Sequence, residues 1–93
     1  MTRIKIKFLI WNDWNIEHIK KHNVQIGEII EAGKNLYFHR KTVENRYLAV
    51  GKSGTRLLTL ILNRKATGRY YLVTAFDSGK KDRKKVYEKT DKK

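Results

Sequence analysis

Cysteine is absent from the 93 residues, which excludes disulfides and cysteine-ligated metal from the forces that hold the fold. Packing has to supply the stability. Long apolar runs are absent too: none approaches the roughly 18 residues of a membrane helix, and Met1-Thr2-Arg3-Ile4-Lys5 has no apolar core of signal-peptide length. Repeats, linkers and low-complexity segments are likewise missing. A chain of this length makes one domain with one modest core, so a single soluble domain over residues 1–93 is expected, in keeping with a reducing cytoplasm. Acidic residues are scarce, with nine Asp and Glu against 22 Lys and Arg, and the formal net charge is +13.

That charge is unevenly spread. Residues 1–45 hold eight basic and five acidic residues, a net of +3, whereas residues 46–93 hold fourteen and four, a net of +10. Nucleic acid is the first candidate for so concentrated a positive field. A membrane surface would call for a basic helix with a broad apolar face, and the C-terminal basic stretch has only Val86 and Tyr87 as bulky apolar members. Membrane binding is therefore not expected, while an acidic protein partner stays open.

Ile4, Ile6, Phe8 and Ile10 alternate in the period of a half-buried strand that ends near Trp11. Asn12 or Asp13 can cap a helix over about 14–22, with Asn23 as its stop, and a second short helix over about 26–32 ends at Gly33. Both helices should cover one face of a sheet. Strands are expected over 36–40, 46–51, 55–63 and 69–76, turned by Lys52-Ser53-Gly54 and Ala66-Thr67-Gly68. Leu57–Leu62 is almost continuously apolar, which fits a central strand buried on both faces. A basic helix follows over about 80–90, and fraying is expected at Asp91-Lys92-Lys93. The expected class is α+β, with antiparallel pairing throughout.

Several residues are candidates for chemistry. His18 and His22 stand four apart, as a zinc site on a helix would need, but Glu17 precedes His18 rather than following it, so no metal site is predicted. Lys20, Lys21 and His22 suit the basic end of an ordinary helix first, and also an RNA contact in which His22 exchanges a proton. Arg46, Lys52, Arg56 and Arg69 fall at strand ends or turns, and Lys80, Lys81, Arg83, Lys84 and Lys85 follow, which points to a phosphate-binding face. Tyr70 and Tyr71 must point to opposite faces of their strand, one core and one available to stack on a base. Tyr87 lies four residues after Arg83, where it can place its hydroxyl near an anion held by that arginine or anchor the helix to the sheet.

Taken together, Trp11 and Ile16, then Lys21-His22-Asn23-Val24, then Arg46-Tyr47-Leu48-Ala49-Val50-Gly51-Lys52-Ser53, then Arg56-Leu57-Leu58, and finally Lys81-Asp82-Arg83-Lys84-Lys85-Val86-Tyr87-Glu88 resemble the BrnT family of toxins in the RelE-like ribonuclease superfamily. The resemblance spans about residues 8–88. It implies a small RelE-like fold and a bacterial type II toxin that cleaves single-stranded RNA without metal or cofactor. It also implies a cognate antitoxin as protein partner, with which the toxin would assemble. The catalytic residues expected on this reading are Arg46, Arg69 and Arg83 as charge stabilisers and His22 or Tyr87 for proton transfer. Lys20, Lys21, Lys52, Arg56, Lys80, Lys81 and Lys84 would hold the strand. The chain departs from the family where Tyr71 stands in place of an arginine, where Thr74-Ala75-Phe76-Asp77 replaces Ser-Ala-Arg and a basic residue, and where His18 replaces an asparagine. The alternatives are a non-catalytic RNA- or DNA-binding module and a basic protein that receives an acidic antitoxin.

Overall fold

A computed structural model describes residues 6–43 and 45–91, with side chains as far as Tyr87. Arg3, Ile4 and Lys5 of the expected first strand and Lys92 and Lys93 of the expected fraying end lie outside the described residues. The elements run β1 (Phe8–Ile10), α1 (Asp13–Lys21), α2 (Ile26–Lys34), β2 (Leu36–Val43), β3 (Arg46–Ser53), β4 (Arg56–Ala66), β5 (Arg69–Asp77) and α3 (Lys80–Asp91). The strands form one five-stranded sheet in the order β1-β5-β4-β3-β2. The class is thus α+β, with two N-terminal helices and one C-terminal helix, as the sequence suggests.

The continuous apolar run of β4 explains the layering. Leu58, Leu60 and Leu62 are fully buried on one face against Ile19 of α1 and Ile29 and Ala32 of α2. Leu57, one residue out of phase, packs on the other face with Phe38, Leu48, Val50 and Val86 of α3. The sheet therefore lies between α1 and α2 on one side and α3 on the other, and the central strand is buried on both faces. Gly51 of β3 is fixed by this packing: a Cβ there would run into the carbonyl oxygen of Ala32, so only glycine lets α2 lie this close.

Local signals account for most boundaries. Asn12 caps α1 by accepting from the Asn15 N–H at 3.0 Å, while the Asn15 side chain accepts from the Asn12 N–H at 2.9 Å. Asn23 takes φ 61° just past α1, and Gly68 takes φ 76° in the β4–β5 turn, both left-handed conformations that these residue types tolerate. The helix expected to end at Gly33 runs on to Lys34, because the Asn35 side chain donates to the Glu31 carbonyl at 3.0 Å and closes the last turn.

Two expectations are corrected at the first strand. Antiparallel pairing holds from β2 to β5, but β1 pairs with β5 in parallel, Leu9 opposite Tyr70, because α1 and α2 carry the chain from β1 across to the far edge of the sheet. The buried face of β1 is also the opposite of the expected one. Leu9 packs into the core, while Phe8 is 60% and Ile10 38% exposed. The reason is that β1 has apolar residues on both faces, and the one bearing Phe8 and Ile10 belongs to the part of the sheet that α3 does not reach.

Candidate nucleic-acid interface

Antiparallel register sorts the side chains of the α3 face into rows across the sheet. Val86 seals the row of Phe38, Val50 and Thr59. The start of α3 is fastened by Thr59 and Ser78, both buried: their hydroxyls lie 2.9 Å apart, and Thr59 donates to Asp82 at 3.2 Å. A carboxylate only accepts, so Ser78 must donate to Thr59. Next come Arg40, Leu48, Ile61 and Thr74, a row in which Leu48 still belongs to the core under α3. Beyond it the sheet opens, with Val43, Arg46, Asn63, Tyr71 and Ile10, then Arg69 beside Phe8.

Where α3 meets the open half, Arg40, Lys81, Asp82, Lys84 and Lys85 line a hollow of about 390 Å³. Four cations there face one carboxylate. Arg40 belongs to it because β2 alternates: Phe38 fills the core under α3, with Lys85 Nζ 5.4 Å from its ring centroid, and the residue two further on emerges just past the helix. Arg46 is the diagonal neighbour of Arg40, about 7–8 Å away between backbones. Arg69 follows after two strand spacings and one pleat, about 12 Å further. Its guanidinium lies 5.5 Å from the Phe8 ring centroid, a cation–π contact on an exposed aromatic. Tyr70 is core, and burial raises its pKa. Tyr71 is therefore the tyrosine on the open face, and its hydroxyl donates to Asn12 Oδ1 at 3.3 Å. The cations thus form a track running from α3 down the bare sheet.

The residues expected to act together are divided by this geometry. Lys81 and Lys84 line the hollow, and Lys80 starts α3, exposed. Arg46 and Arg69 lie on the open half. Arg83 and Tyr87 share a flank of α3, as their spacing implies, but it is the flank away from Lys81 and Lys85. Arg83 donates through Nε to the Ser78 carbonyl at 2.9 Å, and Tyr87 shares a separate hollow with Lys52, Tyr37 and Thr55. His22 caps α1 at the outer side of β5, about 20 Å along that strand from Arg69. Lys20 is exposed and paired with Glu17 at 3.4 Å, and Lys21 is exposed beside it.

Arg56 must be taken out of the phosphate-binding set. Its Nε and NH2 donate to Asp77 at 2.6 and 3.1 Å and its NH1 to both oxygens of Glu28 at 2.9 Å. Two carboxylates around one guanidinium leave a local charge of −1. Bonds from Arg56 hold the Asp77 carboxyl below its ordinary range, and the Gln25 N–H and then Arg56 do the same for Glu28. Sequence reading missed Arg40, whose only signal is its alternation with Phe38, and counted Lys85 without assigning it a contact.

Among the described residues no group of histidine and acidic side chains is arranged to hold a metal ion, and no helix is long and apolar enough to cross a membrane. No family model, no curated protein and no solved structure matches the chain.

Proposed function

We propose that this protein binds single-stranded RNA in the angle between α3 and the open half of its sheet, and that it acts there as a metal-independent endoribonuclease. On this reading it is a cytoplasmic toxin restrained by an antitoxin partner, the role its sequence resemblance implies. The observation that carries the reading is the hollow of Arg40, Lys81, Lys84 and Lys85 opening onto Arg46 and Arg69. A phosphate backbone laid along this track passes the hollow's cations, then Arg46, then Arg69, and bases turned toward the sheet meet the exposed Phe8 and the half-buried Tyr71, aromatic surface that suits unpaired bases.

Cleavage would proceed by attack of a ribose 2′-oxygen on the adjacent phosphorus, with formation of a 2′,3′-cyclic phosphate and expulsion of the 5′-oxygen, which takes up a proton from a lysine ammonium of the hollow or from water. Arg46 and the hollow's cations stabilise the charge that builds on the phosphoryl oxygens. Asp82 is the lining residue able to accept the 2′-hydroxyl proton. A second reading, a binding module without catalysis, is favoured by one observation: His22 and Tyr87, the proton-transfer candidates, both lie outside the hollow.

The test is incubation of labelled single-stranded RNA in EDTA with wild-type protein and with Arg46→Ala. Cleavage leaving 2′,3′-cyclic phosphate ends, slowed about a hundredfold or more in the variant, is expected. Intact RNA that stays bound with a steep salt dependence would select the binding module. Absence of binding at moderate salt would overturn both.

A further inference from the structure

Four rings form a contiguous ladder along α1 and onto β5. Trp14 and His18 stack with centroids 4.8 Å apart and planes within 9°, His18 and His22 meet edge to face at 5.5 Å, and His22 reaches Phe76 at 6.0 Å. The first three are four residues apart and so share one helical face. Phe76 is opposite Thr59, which puts it on the α3 face beside Ser78 and the start of α3. The ladder therefore passes round the β5 edge, where β1 no longer pairs, and ends next to the basic helix.

Packing does not explain the far end of the ladder. Trp14 is 55% exposed, so a large ring is held parallel to His18 while much of its surface meets water. Charge is uneven along the row: Asp13 and Glu17 share α1 with Lys20 and Lys21, and Glu17 pairs with Lys20 at 3.4 Å, whereas Lys21 stands next to His22 and Lys80 and Lys81 open α3 beyond Phe76, so the positive charge gathers at the His22–Phe76 end. A row of rings, Trp14 and His22 exposed and His18 and Phe76 half-buried, that leads to the lysines at the start of α3 matches the chemistry of a single strand, in which π-faces alternate with phosphates. An acidic peptide would match the lysines but leave the ring surface without use.

We propose that the Trp14–His18–His22–Phe76 ladder is a nucleobase-stacking platform that receives the bases of a single-stranded RNA as the strand leaves the basic groove at the start of α3. This rests on the RNA-binding reading above and extends it to a second surface. The outer face of Trp14 is the principal stacking position, and His18 behind it holds the indole in place.

The probe is a uridine-rich single-stranded oligonucleotide with 2′-O-methyl groups, which cannot undergo 2′-oxygen attack, so binding is read apart from cleavage. Inorganic polyphosphate of similar charge serves as a base-free control. Trp14→Ala is expected to weaken oligonucleotide binding about tenfold or more and to leave polyphosphate binding within about twofold, while Trp14→Phe regains most of the loss. Circular dichroism checks that α1 stays folded. Equal loss for both anions, or no loss for either, overturns the platform. A Lys81→Ala, Lys84→Ala pair tests the groove independently by weakening both anions. If wild-type protein binds neither anion, the platform and the groove fail together; if the lysine pair behaves as expected and Trp14→Ala does not, only the platform fails.

Discussion

Replacing Arg56 by alanine removes the guanidinium that joins α2 to the adjoining ends of β4 and β5, and its cost can be worked from exposure and pH. The Arg56 and Glu28 side chains are only 23% and 29% exposed, whereas Asp77 is 53% exposed. A charge-assisted bond partly withdrawn from water contributes about 1.5 kcal/mol, and a mainly solvated pair about 0.5 kcal/mol. The sum is about 2 kcal/mol at pH 7, measured as a lower urea midpoint with an unchanged slope. Both carboxyls have folded pKa values below their ordinary ones. Their contribution is therefore complete above the unfolded values near pH 4 and is lost as pH falls through the depressed folded values. The stability gap between wild type and Arg56→Ala should stay near 2 kcal/mol from pH 7 to about pH 5 and close toward pH 2. A gap below about 0.5 kcal/mol at pH 7, or one that persists unchanged at pH 2, would refute the assignment of Arg56 as a structural clamp. Arg56→Lys should recover only part of the loss, since one ammonium cannot serve two carboxylates with the geometry of the guanidinium fork.

Two further outcomes follow from the packing. Asn15 is fully buried, and its amide donates to the Ile10 and Leu72 carbonyls at 2.9 and 3.0 Å, stitching α1 to the point where β1 stops pairing with β5. Asn15→Ala should cost about 2–4 kcal/mol in chemical denaturation, because the two carbonyls lose their donor and a buried one is not rehydrated; a loss under 1 kcal/mol would mean that water replaces the amide. Gly51→Ala should destabilise by about 1–3 kcal/mol or prevent α2 from docking, since its methyl group meets backbone rather than a movable side chain; a melting temperature equal to wild type would show that α2 shifts freely.

How far the fold can be read from the chain depends on whether the deciding contact is local. Asn12 and Asn23 bracket α1 through bonds and dihedrals within a few residues, and β4 announces itself by an apolar run that no half-buried strand would carry. The direction and facing of β1 were not legible. Its partner begins at Arg69, some sixty residues later, and an apolar residue at Leu9 as well as at Phe8 and Ile10 lets either face be the buried one. What decides is the reach of α3, which covers the β2–β4 part of the opposite face and stops short of β1.

The same distinction governs the site. Net charge weights every cation equally, and on that basis Arg56 ranks above Arg40, since it lies in the more basic half beside a turn. Folding reverses the order. Glu28 and Asp77, 28 and 21 residues away in sequence, converge on Arg56 and turn a cation into a structural clamp. Arg40 joins Lys81, Lys84 and Lys85 around a single carboxylate, so its charge adds to a field instead of being cancelled. An anion is drawn to uncompensated charge, and compensation is a property of tertiary neighbours. The aromatic ladder obeys the same rule: the spacing of Trp14, His18 and His22 is visible in the sequence, whereas Phe76, which turns a row on one helix into a path toward α3, is brought to His22 only by the packing of α1 against β5.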